Sequence, residues 1–259
     1  MVHDLSSAAR TLLGRKPSMP EGLRFYVIGD IHGRVDLLEQ LFSLIDYDLA
    51  ESEPGRSVQL FLGDYIDRGA SSRATIDKLI ERAEIHECAF LRGNHEAVAV
   101  SCLTDKASIP AWMRIGGAET LLSYGVRPTL SLSVGELSAI QSAFQSALPR
   151  SHLQFFGRLQ TQLVVGDYFF VHAGIRPGIP LTKQKERDLL WIRDEFLAST
   201  QDHGKVVVHG HTPSVDVEYR PNRINIDTGA YFTNRLTCLV LESNQRRLIQ
   251  TKDASCSPL

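Results

Sequence analysis

Apolar residues follow two rhythms along this chain. From Leu23 to about Val100, short continuous apolar runs alternate with stretches in which apolar residues recur at helical spacing. Arg24–Asp30 (RFYVIGD) reads as a buried strand, and Val35–Leu49 places Leu37, Leu38, Leu41, Phe42 and Ile45 on one helical face. Ser57–Asp64 reads as a second strand, followed by a helix from about Ser72 to Glu84. Glu87–Asn94 reads as a third strand, again followed by a helix. Three rounds of strand and helix predict βαβ units and a mainly parallel sheet. Over 105–160 the pattern changes: WMRIGGAETLLSYG and GELSAIQSAFQSAL read as helices, and the stretch is expected to form an inserted helical cap. Gln162–Gly174 reads as a hairpin turning at Gly166-Asp167. KVVVHG, RINIDTG, RLTCLVLE and RRLIQTK supply further strands, the last two paired around Ser243–Gln245.

This pattern divides the chain into a main domain over 23–253, an arm over 1–22 with a helical turn or two around Ala8–Leu13, and a loose tail over 254–259. The 259 residues suffice for a sizeable core, and 43% hydrophobic with 22% charged is ordinary for a globular protein. A net charge of −2 argues against a dedicated nucleic-acid binder, though not against a local basic pocket. No apolar stretch has the length of a membrane span, and the N-terminus has no signal-peptide core. Cys88, Cys102, Cys238 and Cys256 are isolated, with no CxxC pair, so they read as reduced thiols and a cytoplasmic setting is expected.

Chemistry concentrates where apolar strands run out into glycine-bearing loops. GDIHG (Gly29–Gly33), GDYIDRG (Gly63–Gly69), GNHE (Gly93–Glu96), HAG (His172–Gly174) and HGHTP (His209–Pro213) each offer metal ligands at such a point. Asp30 and His32 are two apart, so an extended backbone points both the same way. Asp64 ends a strand and is placed to bridge two cations. Arg68 offers a planar fork for a phosphoryl group. Adjacent Asn94 and His95 diverge, which divides them between metal and substrate, with helix capping as a second use of Asn94. His209 has three readings: a ligand, a donor behind the ligands, or a packed side chain. His3, His86, His152 and His203 lack supporting neighbours and are expected at the surface.

Taken in this order, the motifs resemble those of the PPP-type serine/threonine protein phosphatases, in their bacterial and phage branch, within the calcineurin-like metallophosphoesterases. The resemblance covers about Arg24 to Glu242. It implies an α/β fold, a four-layer α/β/β/α sandwich with the site at the C-terminal ends of its strands. It implies that Asp30 and His32 bind one metal, that Asp64 bridges, and that Asn94, His172 and His211 complete the second site. His95 becomes the general acid with Asp67 fixing its ring, and Arg68 and Arg193 hold the phosphate. Arg193 rests on the shorter motif LLWIRDEFL. The implied activity is hydrolysis of phosphoserine and phosphothreonine, with phosphotyrosine also in view, by direct attack of a metal-bridging hydroxide. The implied cofactors are two divalent metal ions, Mn2+ first, with Fe or Zn2+ also suited to the ligands. The implied partners are phosphorylated proteins or peptides, with no nucleic acid and no membrane.

A second reading keeps the metals and changes the substrate to a dinucleoside polyphosphate. Hydrolases of that kind usually carry Ala where Asp67 stands, and Asp and Trp where Glu96 and Thr212 stand. A third, an inactive phosphoprotein-binding scaffold, requires a lost ligand, and none is missing. Within the cap, Phe144 reads as packing, while Trp112 either packs or lines a groove.

Overall fold

A computed structural model describes residues 16–52, 55–128 and 133–251. The helical turn expected around Ala8–Leu13 and the tail beyond Asp253 lie outside the described residues. The strands are β1 (Leu23–Ile28), β2 (Arg56–Phe61), β3 (Cys88–Phe90), β4 (Gln162–Val165), β5 (Tyr168–Val171), β6 (Val206–His209), β7 (Glu218–Tyr219), β8 (Arg223–Asn225), β9 (Thr237–Glu242) and β10 (Gln245–Gln250). They form two five-stranded sheets, ordered β10-β9-β1-β2-β3 and β4-β5-β6-β8-β7. In the first sheet β1, β2 and β3 are parallel, as the strand–helix alternation requires, while β9 pairs antiparallel with both β1 and β10. In the second, β5, β6 and β8 are parallel between antiparallel edges β4 and β7. Both sheets are therefore mixed, not mainly parallel. The cause is local: the turns at Gly166-Asp167 and Ser243-Asn244 are too short for a crossover and force antiparallel neighbours.

Strand periodicity dictates the layering. In β1, Phe25 and Val27 face the second sheet while Tyr26 and Ile28 face the helices. In β5 and β6, Tyr168, Phe170, Val206 and Val208 meet the first sheet, whereas Phe169, Val171 and Val207 pack outward on Leu189, Ile192 and Phe196. Alternate residues on both central strands are thus apolar on both faces, which buries two sheets between two helical layers. The four-layer α/β/β/α sandwich follows.

Helices α1 (Val35–Glu51), α2 (Ser72–Ile85) and α3 (Asn94–Cys102) follow β1, β2 and β3. The cap comprises α4 (Ile109–Trp112), a π-helical turn (Met113–Gly117), α5 (Ala118–Ser123), α6 (Val134–Ala147) and α7 (Arg150–Gly157). Its core is continuous with that of the first sheet's helices: Trp112, Phe144 and Phe155 belong to one cluster with Leu38 and Phe61. The stretch WMRIGGAETLLSYG does not form one helix. Gly116 breaks it with φ of 111°, and its carbonyl accepts the Arg68 N–H at 3.1 Å. A Cβ at Gly116 would lie 2.7 Å from that same nitrogen, so glycine lets the cap dock on the loop that carries Arg68. α8 (Glu186–Trp191) and α9 (Asp194–Leu197) cover the second sheet, and α10 (Ala230–Thr233) precedes β9. Among the described residues no helix is long and apolar enough to cross a membrane.

Candidate active site

The loops leaving β1, β2 and β3 in one sheet, and β5, β6 and β8 in the other, meet at one end of the sandwich. They are tightly wound. His32, Asp64, Asp67, Arg68 and His211 all adopt positive φ, between 48° and 72°. Non-glycine residues rarely do so, and such strain persists only where surrounding bonds over-determine it. Here those bonds are visible. The Asp64 carbonyl accepts the N–H groups of Ile31 and His32 at 3.1 and 2.9 Å. The Glu96 carboxylate accepts those of Asp64, Tyr65, Ile66 and Gly93 at 2.8 to 3.3 Å. The extended Asp30-Ile31-His32 backbone expected from spacing is absent, since His32 has turned left-handed. Asn94 is the first residue of α3, and Gly93, not Asn94, is its N-cap.

Two groups of ligand atoms result, sharing Asp64. One is His32, Asp64 and His95; the other is Asp64, His172 and His211, with the atoms of each group within 4.8 Å of one another. Asn94 joins the second through Oδ1, 3.0 Å from His172 Nε2. Asp30 belongs to neither group; its oxygens accept the His211 N–H at 3.0 and 3.3 Å. Gly210 permits this approach, because a Cβ there would overlap Asp30 Oδ1 at 2.1 Å. Sequence reading did not single out Asp227, which is buried beside Asp30. Its signal was present: RINIDTG repeats the apolar strand–Asp–Gly grammar of the other motifs.

The donor chemistry fits cations. His32 Nδ1 donates to the Ile66 carbonyl and His172 Nδ1 to the Leu62 carbonyl, both at 3.0 Å. Each ring therefore turns a lone pair on Nε2 into the site, as a metal-ligating imidazole does. His172 Nε2 then faces two more acceptors, Asn94 Oδ1 at 3.0 Å and Asp64 Oδ1 at 3.3 Å. With that ring neutral, a cation among the three atoms would satisfy them all. His211 Nε2 is buried with no hydrogen-bond partner. Burial pushes His32 down to about 3 and His211 to about 2, which keeps both neutral and able to ligate. Burial, with Asp227 and Asp64 nearby, raises Asp30 well above the ordinary carboxylate range, so its anion needs a cation beside it.

His95 is held differently. Its Nδ1 lies 2.7 Å from Asp67 Oδ2, and its Nε2 faces Arg68 and Asp64 at 3.3 and 3.7 Å. Burial works to lower His95, but the carboxylates of Asp64 and Asp67 outweigh it and raise the imidazole above its ordinary value. Asp67 is fully buried and receives Trp112 Nε1 at 2.9 Å and Thr120 Oγ1 at 2.6 Å, both from the cap. Trp112 therefore neither lines a groove nor merely packs: its indole N–H anchors the aspartate. Arg68 spans the two imidazoles, with Nη1 3.0 Å from His32 Nε2, and its guanidinium lies 4.7 Å over the Tyr231 ring. Arg193 is exposed and donates to the His211 carbonyl at 3.3 Å.

Three further histidines lie outside the ligand groups. His209 is buried in the second sheet, its Nδ1 3.1 Å from the Gly210 carbonyl and its ring edge-on to Phe196; it belongs to neither ligand group. His152, expected at the surface, is completely buried between the Tyr124 hydroxyl at 2.7 Å and Asp77 at 2.8 Å. The amphipathic face of α7 turns it inward, and its two partners satisfy both ring nitrogens. His203 is half-buried against Phe196.

Comparison with known proteins agrees with this arrangement. The calcineurin-like phosphoesterase family model matches residues 23–242. The chain is 25% identical to the asymmetrical bis(5'-nucleosyl)-tetraphosphatase PrpE of Bacillus thuringiensis, covering 84% of this chain and 90% of that one. The corresponding Oceanobacillus iheyensis protein is 22% identical over 83% and 87%. Among solved structures, a candidate diadenosine tetraphosphatase superposes with a TM-score of 0.61 at 18% identity, over 93% of this chain and all of that one. A Saccharomyces cerevisiae protein serine/threonine phosphatase gives 0.52 at 15% identity, over 96% and 88%. With its family match running through nearly every strand that feeds the site, the chain belongs to the calcineurin-like phosphoesterases.

Proposed function

We propose that this protein is a metal-dependent phosphoprotein phosphatase, cleaving phosphoserine and phosphothreonine, and also phosphotyrosine. The observation that carries this reading is the buried His95–Asp67 pair with His95 Nε2 turned into the site. A departing serine or threonine alkoxide is too basic to leave unprotonated, so its ester needs a general acid. A nucleoside polyphosphate leaves as a phosphate whose second pKa is about 6, and so leaves readily as an anion. A chain built only for the second task has little use for a sealed acid–carboxylate pair.

In this reading Asp30, His32 and Asp64 hold one divalent cation, and Asp64, Asn94, His172 and His211 the other, with Mn2+ the first choice. Bound there, the cations supply Lewis acidity and an acidified water. His32 Nε2 can serve either Arg68 or a cation, so loading the site frees the Arg68 fork for a phosphoryl oxygen. Arg193 is the second phosphate ligand in this reading. His95 gives its Nε2 proton to the leaving oxygen, while Asp67 holds Nδ1–H and stabilises the imidazolium beforehand. The cytoplasmic setting rests on the free thiols of Cys88, Cys102 and Cys238.

Dinucleoside polyphosphate hydrolysis is the second reading, favoured by the names of the 22–25% identical relatives. The two separate in one experiment: kcat/KM with Mn2+ for phosphoserine, phosphothreonine and phosphotyrosine peptides and for diadenosine tetraphosphate, with His95→Asn alongside. Peptide turnover that collapses in the variant supports the phosphatase. Preferred cleavage of the dinucleotide, insensitive to His95→Asn, overturns it.

A further inference from the structure

Between β5 and α9 the chain makes an excursion that encloses a groove of about 810 Å³. The inner end of this groove is the wall of the metal site. Trp191 stands edge-on to His211 with ring centroids 6.3 Å apart, and Arg193 Nη2 donates to the His211 carbonyl. Lys183, Lys185 and Arg187 also line it; all three are exposed, and among the described residues none makes an ion pair or side-chain hydrogen bond. Lys185 and Arg187 act on Asp188 only at longer range.

The carboxylates of the groove are mostly spent. Asp188 takes a bidentate fork from Arg176 at 2.8 and 3.0 Å, and Glu195 pairs with the same guanidinium. Asp194 alone is left against Lys183, Lys185, Arg187 and Arg193. In a chain of net charge −2 this is a local excess of positive charge that runs into the reaction centre. Such a surface draws polyanions and orients them.

We propose that this groove selects phosphoprotein segments carrying Asp or Glu beside the phosphorylated residue, seating those side chains on Lys183, Lys185 and Arg187. The proposal rests on the phosphatase reading above. A peptide suits the groove better than a dinucleotide for a reason of charge placement. A dinucleotide gathers its charge in one polyphosphate held at the metals, where Arg193 already stands. The other three cations touch no metal-site residue and follow one another along the chain, matching charges spread along an extended polymer. The exposed ring of Trp191 gives the apolar stem of a flanking residue a wall to lie on.

The test compares kcat/KM for matched phosphoserine peptides with acidic, neutral and basic flanks, at low and high salt. The enzymes are the Mn2+-loaded wild type and the double variant Lys185→Glu/Arg187→Glu, with p-nitrophenyl phosphate and diadenosine tetraphosphate as further substrates. Single exposed ion pairs are weak, so an acidic preference of about tenfold over basic flanks is expected, shrinking with salt. Charge reversal should abolish or invert it while p-nitrophenyl phosphate turnover stays unchanged. Peptides cleaved without regard to flanking charge, or a preference that survives reversal, overturn the groove and leave the phosphatase reading standing. Turnover of p-nitrophenyl phosphate with no peptide cleaved overturns both. A loss on reversal confined to diadenosine tetraphosphate assigns the groove to a nucleotide and overturns the peptide.

Discussion

Two buried histidines in this molecule are each held by an aspartate, and only one of them opens on the candidate site. His95 Nδ1 lies 2.7 Å from Asp67, and His152 Nε2 lies 2.8 Å from Asp77. The rings are equally hidden, at 2% and 0% exposure. They differ in the second ring nitrogen. That of His95 opens on Arg68 and Asp64, where a phosphate can sit; that of His152 is spent on the Tyr124 hydroxyl. The carboxylates differ too: Asp67 is sealed by Trp112 and Thr120, whereas the side chain of Asp77 is 51% exposed. One pair can hand a proton onward. The other has no free atom with which to do so, and it bolts α7 and the end of α5 to α2. Chemistry is therefore set by what the far nitrogen sees, not by the pairing.

Substitutions can break this contrast from either side. The largest effect is expected from His95→Asn, with kcat on a phosphoserine peptide falling by about 10²–10⁴ and the melting temperature nearly unchanged. Steady-state kinetics with thermal denaturation check it, and equal losses in kcat and stability would show that His95 is structural as well. Asp67→Asn should lower kcat by about 10² and shift the pH profile. The wild-type carboxylate helps hold His95 above its ordinary value, and the general acid must be protonated. Without that charge the His95 pKa falls, so activity is lost at lower pH as the pH rises, and the alkaline limb moves down. An unmoved limb in a kcat–pH series would mean that another group supplies the proton.

His152→Ala should instead cost about 2–4 kcal/mol of stability, by leaving the buried Tyr124 hydroxyl unpaired and a cavity beside it, with kcat on p-nitrophenyl phosphate within about twofold of wild type. Urea unfolding measures the first and a fixed-time assay the second. Trp112→Phe keeps the ring in the cap core but removes one donor to Asp67, so kcat should fall only several-fold at a stability cost of about 1 kcal/mol. A loss as deep as that of Asp67→Asn would make the indole N–H indispensable. Asp77→Asn is the mildest, below about 1 kcal/mol, because its side chain is half in solvent.

The sequence read most clearly where chemistry and local structure share a short segment. Asp30, His32, Asp64, Asn94, His172 and His211 each sit in a strand-to-glycine-loop motif, and the structure gathers all six, with His95, Asp67 and Arg68, at one end of the sandwich. Short continuous apolar runs likewise placed β1, β2, β5, β6, β8 and β9. These features depend on neighbours a few residues apart, so sequence alone determined them. Only the tertiary structure decided the rest. The left-handed turns at His32, Asp64 and His211 exist because bonds from distant residues hold them, and no local propensity announces such a conformation. Trp112 became a donor to Asp67 because Gly116 kinked the cap onto the Arg68 loop. His152 went inward because Tyr124 and Asp77 met its two nitrogens. A side chain's role follows from the atoms it faces, and those arrive from far along the chain.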